Sequence, residues 1–427
     1  MPMIRKIMAH ARQTLAAACI GMITAATLTG GPALAEPLRI LTSMPPPLTD
    51  AFIASFRQRY PTAEVLVLNK NTNSGVDEIV RGNPRGFDIF WASSPEAFVL
   101  VGEHQGFAAT GCPALPPEGH ATFALSSIGW TRRKDSTLFM PGDWDDLLMP
   151  AYRGRIGMAL PSRSGTSHMT VERLLQVRGW QRGWAYFMSL SENLSTLTSR
   201  SFGVLDGVKS DRFDIGLTID FLAVTEPDLA FRYGRPVMIF PAQIGLLAAG
   251  GAPDLACDFI RFVLSDDGQR LLLTPSVGRI PVSAALRAQA GDAVPELMRH
   301  AIKLSWQPYN ADLAKQRYWS VNAIFDLFIS DHLPRRRELW ARLRALEATP
   351  EAPDMAAETA RIERLLTTLP VSEAEAIGHD LNELPGRITD FTVLTDQQKA
   401  LHDRWTKASH DLLDQADAAL SRLEATP

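Results

Sequence analysis

The sequence predicts an α/β fold of two lobes around a cleft, followed by a C-terminal all-helical extension. Three observations support this fold class. Short apolar strands alternate with polar loops and helices from residue 38 to about residue 100, which is typical of a parallel sheet flanked by helices. The same succession returns beyond residue 154, after strands that pass between the two sets. From about residue 301 the strand signals stop and helical periodicity continues.

Residues 1–35 have the layout of a secretory signal peptide. Arg5, Lys6 and Arg12 precede an uncharged apolar run at 15–28, and an A-x-A site ends at Ala35. We expect cleavage after Ala35 and export to the periplasm, with lipidation at Cys19 as the lesser alternative. Removal of three cations takes the formal net charge from -4 to -7.

The composition of the 427 residues excludes several classes of protein. With 46% hydrophobic and 21% charged residues the chain is globular, and 43 basic against 47 acidic residues argue against nucleic-acid binding. Nine His and three Cys are few for a metal-cluster protein or a disulfide scaffold. An oxidising compartment permits a Cys112–Cys257 disulfide, but two isolated thiols are the favoured interpretation.

The first lobe begins with a predicted strand at 38–41, a proline-rich loop and a helix at 48–60. Further strands are predicted at 65–68 and 87–91, each followed by a polar loop that can cap a helix.

The next set has predicted strands at 123–130, 154–159, 214–219 and 236–240, a helix through Leu174, Leu175 and Val177, and helices at 252–264 and 266–273. These elements predict a division into lobe 1 (36–130 and 236–300), lobe 2 (131–235) and a helical extension (301–427).

The extension carries 15 basic and 20 acidic residues, a net charge of -5. Its last helix, behind a Thr395/Gln398 capping box, has an apolar seam, which favours packing on this protein itself over a coiled coil with a partner. The seam consists of Leu401, Trp405, Ala408, Leu412, Ala419 and Leu423.

Small hydroxyl residues and glycines follow the predicted strands, where ligands bind in open α/β sheets. Helix N-termini with such residues form anion sites, because their N–H groups are unpaired and carry partial positive charge. The candidate ligand-binding residues are Thr42, Ser43, Ser74, Gly75, Ser93, Ser94, Arg163, Ser164, Gly165, Thr166, Ser167, His168, Ser201, Thr218 and Asp220.

Each candidate also has a structural interpretation. The hydroxyl residues can be helix caps, and Arg163 can be a solvated loop cation. His168 can be a satisfied helix histidine, and Asp220 can be an N-cap rather than an acceptor for a ligand hydroxyl or amine. Arg279 is a loop cation with weak support. The sequence lacks the G-x-S-x-G, H-E-x-x-H, G-x-x-x-x-G-K-[ST] and G-x-G-x-x-G motifs.

Several segments together resemble the periplasmic solute-binding proteins of ABC importers, in the iron-binding-protein-like group that takes iron, organophosphates and phosphonates. These segments are Thr42-Ser43-Met44, Phe87 to Ser94, Trp144 to Leu147, Gly154 to Ala159 and Ser164-Gly165-Thr166. The resemblance implies a type II periplasmic binding protein fold, with crossover strands as a hinge and the ligand in the cleft. It implies no catalytic residue, cofactor or metal.

The resemblance therefore implies a monomeric receptor for a small phosphorylated organic anion, such as a phosphoglycerate, a sugar phosphate or a phosphonate, with an inner-membrane ABC permease as its partner. One alternative is a ligand sensor for a membrane histidine kinase. Another is an Fe(III)-binding protein, although the adjacent tyrosine pair typical of iron binders is missing among the 6 Tyr. The third is a secreted phosphoester hydrolase.

Overall fold

The structure is a computed structural model that describes residues 36–108, 111–304, 309–349, 352–377 and 396–425. The predicted export segment with Cys19 and Thr395 of the predicted capping box lie outside these residues. None of the helices in the described part of the chain combines the length and apolar character that a membrane crossing needs.

Within the described residues, ten strands form one sheet in the order β2-β1-β3-β9-β4-β7-β5-β6, with β8 and β10 paired to β4. The strands are β1 Leu38–Thr42, β2 Val65–Asn69, β3 Ile89–Ala92, β4 His120–Arg133, β5 Ile156–Ala159, β6 Leu194–Thr198, β7 Ile215–Ile219, β8 Leu229–Tyr233, β9 Ile239–Leu246 and β10 Ile280–Pro281.

Strand β4 passes from one lobe to the other. Its residues 120–127 pair with β9, which continues to β3 in lobe 1, whereas residues 128–133 pair with β7 and β8 of lobe 2. The chain thus forms the two α/β lobes and the crossover that the sequence predicts. The domain boundaries at 130/131, 235/236 and 300/301 stay predictions.

The helices that flank the sheet continue into the extension. They are α1 Pro46–Arg59, α2 Thr72–Val80, α3 Pro95–Glu103, α4 Gly165–Arg178, α5 Trp180–Leu190, α6 Ser201–Lys209, α7 Asp220–Val224, α8 Pro253–Leu264, α9 Asp266–Leu271, α10 Ala284–Ala290, α11 Glu296–Leu304, α12 Ala311–Gln316, α13 Tyr318–Phe325, α14 Leu333–Glu347, α15 Ala352–Thr367, α16 Glu373–Ala376 and α17 Asp396–Glu424.

Three sequence predictions need correction here. The strand expected at 236–240 begins at Ile239 and extends to Leu246. Strands β6 and β8 escaped prediction because their sequences, LSTLT and LAFRY, mix polar and apolar residues without clear alternation. Cys112 and Cys257 form a disulfide rather than two isolated thiols. Both lie in one buried apolar cluster of lobe 1, which brings together positions 145 residues apart.

The extension packs on lobe 2, as its apolar seam predicts. Trp405 of α17 joins the buried cluster of lobe 2, and its ring centroid lies 5.8 Å from that of Trp319. Farther along α17 the buried face is Leu413, Ala416, Ala419 and Leu420, whereas Leu412 and Leu423 are only partly buried. The seam is therefore rotated by one residue from the predicted one in this part of the helix.

Candidate functional site

A pocket lies between the two lobes, where loops leave the carboxyl ends of the strands. It measures about 450 Å³, its open mouth included. Lobe 1 contributes the loops after β1, β2 and β3 and the segment before β10, and lobe 2 contributes the loops after β5, β6 and β7. The lining residues are Ser43, Met44, Asn71, Thr72, Ser93 and Arg279 from lobe 1, and Arg163, Ser164, Gly165, Thr166, Arg200, Ser201, Phe202, Ile219, Phe221 and Leu222 from lobe 2.

Three helices begin at this pocket. Helix α4 has Ser164 as its N-cap, whose Oγ accepts a hydrogen bond from the Ser167 N–H at 3.3 Å and lies 2.9 Å from Ser201 Oγ at the start of α6. Helix α2 is capped by Asn71, whose Oδ1 accepts from the Ser74 N–H at 2.8 Å. First-turn N–H groups lack intrahelical acceptors and carry partial positive charge, so the three starts together favour an anion.

Arg279 is buried, with 2% of its surface exposed, and its guanidinium faces this pocket. The group lies over the Phe221 ring at 3.5 Å and donates to Ser93 Oγ at 3.3 Å, with Nη2 also 3.2 Å from Met44 Sδ. It forms no ion pair with any described carboxylate, and its Nε has no partner there. Burial lowers the pKa of Arg279 to about 9, against the effect of nearby Asp220.

Two further arginines face the pocket from lobe 2. Arg200 donates through Nη2 to Asn69 Oδ1 and to the Lys70 carbonyl at 3.4 Å, and burial lowers its pKa. Arg163 follows β5 and lines the pocket beside Ser164. No Asp or Glu of the described residues lines this pocket. The site thus combines three arginines with the starts of helices α2, α4 and α6, and no described carboxylate belongs to its lining.

The lobes meet around the pocket. Asn73 of lobe 1 donates from Nδ2 to the Ser162 carbonyl of lobe 2 at 2.6 Å, in addition to the Arg200–Asn69 bond. At Gly165 a Cβ would lie 2.9 Å from Ser94 Cβ and 2.9 Å from Thr72 Oγ1, so only glycine permits this approach of the lobes. The cleft is therefore closed in this structure.

The profile of the bacterial extracellular solute-binding protein family matches residues 39–274. The chain belongs to this family. It is 31% identical over 360 residues to the phosphoglycerate transport regulatory protein PgtC of Salmonella typhimurium, which covers 81% of this chain and 88% of PgtC.

Two solved structures share the fold. The periplasmic binding protein AfuA from Actinobacillus pleuropneumoniae matches with a TM-score of 0.58 and 17% identity, over 71% of this chain and 97% of AfuA. The periplasmic binding protein P5PA matches with a TM-score of 0.57 and 19% identity, over 72% of this chain and 99% of P5PA. These likenesses confirm the type II periplasmic binding protein fold.

Family membership has direct consequences for function. Members of this family bind small solutes, and this chain is a solute-binding protein rather than an enzyme. Such proteins work in the periplasm with ABC permeases.

Of the sequence-predicted site residues, seven line the pocket of this solute-binding protein. They are Ser43, Ser93, Arg163, Ser164, Gly165, Thr166 and Ser201. The other eight lie outside the lining set: Thr42, Ser74, Gly75, Ser94, Ser167, His168, Thr218 and Asp220.

Several of these eight residues position the segments that line the pocket. Thr42 Oγ1 donates to the Trp91 carbonyl at 2.8 Å and accepts from the Met44 N–H at 3.0 Å, which holds the loop after β1. Gly75 faces the Phe90 ring, with which a Cβ would make contact at 3.2 Å. Thr218 is buried in β7. Ser74 and Ser167 take part in the caps of α2 and α4 through their backbone N–H groups.

Asp220, His168 and Ser94 have hydrogen-bond partners inside the protein, although the buried His168 Nε2 has none among the described residues. Asp220 accepts from the backbone N–H of Ser127 at 3.0 Å and of Phe221 at 2.8 Å, and burial raises its pKa to about 7. His168 Nδ1 lies 2.9 Å from the Asn322 side-chain oxygen, and burial lowers its pKa to about 4. Ser94 Oγ donates to a buried Glu96 oxygen at 2.7 Å. The structural interpretations of Ser94 and Asp220 as helix caps are wrong, because Ser94 makes no side-chain cap hydrogen bond to α3 and Ile219 is the N-cap of α7.

Sequence reasoning missed some lining residues or gave them too little weight. Arg279 is predicted only as a loop cation with weak support, and Arg200 is not among the candidate residues. The available signal for both was a lone cation between small or apolar neighbours, S-V-G-R-I-P and S-R-S, directly beside a helix or strand terminus. Asn71 and Thr72 belong to a turn that the sequence identified only as a cap.

The lining residues also bear on the iron alternative. Fe(III) is a hard ion that prefers oxygen anions such as phenolate and carboxylate as ligands. No tyrosine lines the pocket, although all 6 belong to the described residues, and no described carboxylate does either. The donor set therefore does not fit an iron site.

Proposed function

We propose that this solute-binding protein is a periplasmic receptor for a small phosphorylated organic anion, which it delivers to an ABC importer. The observation that carries the proposal is Arg279. A buried cation without an ion pair is costly, and an anion in the pocket would offset that cost through charge-assisted hydrogen bonds.

The charges favour a ligand with more than one negative charge. Arg279 belongs to lobe 1, whereas Arg163 and Arg200 belong to lobe 2, and no described carboxylate neutralises them within the pocket. A phosphate group with a second anionic group, such as a carboxylate, would engage cations of both lobes. The relatives support this class: PgtC is named for phosphoglycerate transport, and AfuA was solved with fructose-6-phosphate bound.

A ligand-sensing role for a membrane histidine kinase is the second candidate function. The observation that favours it is the likeness to PgtC, which is named a transport regulatory protein and is matched over 88% of its length. Reconstitution distinguishes the two roles. An importer receptor stimulates uptake by its permease in proteoliposomes, whereas a sensor changes the autophosphorylation of its kinase.

The ligand class is tested by calorimetry on the chain from residue 36 onward. The panel is 3-phosphoglycerate, phosphoenolpyruvate, hexose phosphates, aminoethylphosphonate and inorganic phosphate, with Fe(III) and an uncharged sugar as contrasts. We expect the strongest binding for a compound that carries both phosphate and carboxylate. Binding of Fe(III) or of the uncharged sugar alone would contradict the anion proposal.

Arg279→Met tests the decisive residue. Methionine keeps an unbranched apolar stem but lacks the charge, and unpairing a buried charge costs about 3–5 kcal/mol. We expect the affinity for the best anion to fall by about 100-fold or more. The matched control is Arg287→Met, since Arg287 donates to the Pro281 and Val282 carbonyls outside the pocket. Equal affinity of the two variants would remove Arg279 from the site.

A further inference from the structure

The start of the C-terminal extension touches lobe 1. Residues 309–325, which comprise α12 and α13, are named here the bridging segment. Its Tyr309 hydroxyl donates to Glu96 Oε2 of lobe 1 at 3.2 Å, and Lys315 pairs with Glu103 on the same helix. Tyr318 lies in a buried apolar cluster of lobe 1, and its hydroxyl donates to Asn73 Oδ1.

The same segment is built into lobe 2. Trp319, Ile324 and Phe325 belong to the buried cluster of lobe 2. Arg317 forms a buried ion pair with Glu172 of α4 at 2.7 Å. The segment therefore packs on both lobes, through α12 on α3 of lobe 1 and through α13 in the buried cluster of lobe 2. A separation of the lobes would break one of these two sets of contacts.

Asn73 joins three parts of the molecule. It follows Thr72, which lines the pocket, in the first turn of α2. Its Nδ2 donates to the Ser162 carbonyl of lobe 2, and its Oδ1 accepts from Tyr318 of the bridging segment. The side chain is buried, so its amide cannot exchange these partners for water while the lobes stay closed.

We propose that the bridging segment stabilises the closed arrangement of the two lobes, with Asn73 as the positioning residue through which it acts on the pocket. A ligand that binds the closed arrangement has an apparent affinity proportional to the fraction of closed protein. If contacts of the extension increase the closed fraction, they also increase the affinity, although the extension does not touch the ligand. The statement about affinity rests on the proposed function, whereas the statement about closure does not.

The test is Tyr318→Phe in the chain from residue 36 onward. The variant keeps the ring, whose centroid lies 4.1 Å from that of His168, and loses the hydroxyl contacts to Asn73 and Ser94 of lobe 1. We expect the ligand-free variant to have a larger radius of gyration than wild type in small-angle X-ray scattering. The affinity for 3-phosphoglycerate should fall by about three- to tenfold, mainly through faster dissociation, as the loss of these buried hydroxyl contacts implies.

The matched control is Tyr186→Phe. Tyr186 is also buried, and its hydroxyl donates to the Trp144 carbonyl at 2.7 Å within lobe 2. We expect this control to keep both the wild-type radius of gyration and the wild-type affinity. Asn73→Ala removes the bonds of Asn73 to both Ser162 and Tyr318. We expect it to raise the radius of gyration and to lower the affinity more than Tyr318→Phe does.

Unchanged scattering of ligand-free Tyr318→Phe, or equal changes in the two tyrosine variants, would overturn the proposal. Scattering of the ligand-free protein needs no ligand, so the outcome stays separate from the proposed function. If no phosphorylated compound binds but Tyr318→Phe still opens the lobes, the function fails and the inference about closure stands. If the circular dichroism of Asn73→Ala shows that this variant does not fold, the result for Tyr318→Phe alone tests the proposal.

Discussion

Buried ionisable side chains serve different purposes in this protein. Arg317 is paired with Glu172 at 2.7 Å, and Arg336 donates to the carbonyls of Met188 and Leu366, so both have internal partners. Arg279 has only Ser93 and Met44 as hydrogen-bond partners among the described residues. Arg279 thus has few hydrogen-bond partners and lies at the wall of the cleft. These two features distinguish this ligand-facing cation from the structural cations Arg317 and Arg336.

Glu96 is a second buried charge with incomplete compensation. Its carboxyl accepts from Ser94 and Tyr309, and His168 Nε2 lies 4.0 Å away. Burial raises the pKa of Glu96 to about 7, with the charge of Glu172 adding to the rise and these hydrogen bonds opposing it. Between pH 4.5, its ordinary value, and about pH 7, the folded protein therefore binds a proton that the unfolded chain has released.

The pH dependence of stability tests this environment. Because the folded state binds more protons in that window, the contribution of Glu96 to stability falls as pH rises through it. We therefore expect the melting temperature of Glu96→Gln minus that of wild type to increase from about pH 5 to about pH 8. His168, whose pKa is lowered, acts in the opposite direction but is present in both proteins.

Thermal unfolding followed by circular dichroism provides the measurement. The control is Glu64→Gln, since the Glu64 side chain is exposed. The prediction is contradicted if the melting temperature of Glu96→Gln minus that of wild type stays constant or decreases with rising pH. That result would show that the Glu96 carboxyl is charged in the folded protein at little cost in free energy.

At the scale of elements, helix α4 is the element that the sequence defines best. Ser164 caps it, Gly165 and Thr166 form its first turn at the pocket, and Gly179 follows its end at Arg178. The hydroxyl of Ser164 satisfies one first-turn N–H group, which leaves the others to face the cleft. Local chemistry therefore dictates both where this helix begins and what it presents.

Gly165→Ala tests the approach of α4 to lobe 1. A Cβ here meets atoms of Thr72 and Ser94 across the cleft at 2.9 Å, so we expect it to hold the lobes apart. Ligand affinity should fall about tenfold or more, since each 1.4 kcal/mol is a factor of ten. Calorimetry with the best anion, together with the melting temperature of the ligand-free protein, measures both effects.

Gly183→Ala is the control for this variant. Its Cβ would meet Leu175 at 2.7 Å within lobe 2, so it should lower the melting temperature and leave the affinity of the folded protein unchanged. If Gly165→Ala behaves like this control, the cleft does not close on α4 when ligand binds.

At the scale of the whole molecule, the extension is part of the core of lobe 2. Phe325 meets Phe187 of α5 with ring centroids 6.1 Å apart, and Trp319 is fully buried in the same cluster. The indole N–H of Trp180 donates to the Val371 carbonyl at 2.8 Å. Lobe 2 and the extension should therefore unfold together.

Trp319→Ala tests this cooperativity. Removal of a fully buried tryptophan costs about 3–5 kcal/mol, so we expect that loss in urea unfolding, with lobe 2 and the extension in one transition. The control is Phe139→Ala, because the Phe139 side chain is 50% exposed. A separate, weakened transition for the extension, with lobe 2 unaffected, would contradict a shared core.

Much of the fold, and seven of the residues that line the pocket, could be predicted from the sequence for local reasons. The strands at 38–42, 65–69 and 89–92 and the helix after Ser164 follow from apolar runs and capping chemistry that neighbouring residues determine. The roles of Asp220 and His168 could not be assigned from the sequence, because a polar residue near a strand or helix end looks the same whether its partner is a ligand or another part of the chain.

The sequence by itself determined the alternation of strands and helices, the hydroxyl-rich helix starts and the acidic helical extension. Only the tertiary structure decided that Arg279 and Arg200 face one pocket, that Cys112 bonds to Cys257, and that Tyr318 reaches Asn73. The physical reason is distance along the chain. Caps and periodicity act over a few residues, whereas a charge receives its partner only when packing brings remote segments together.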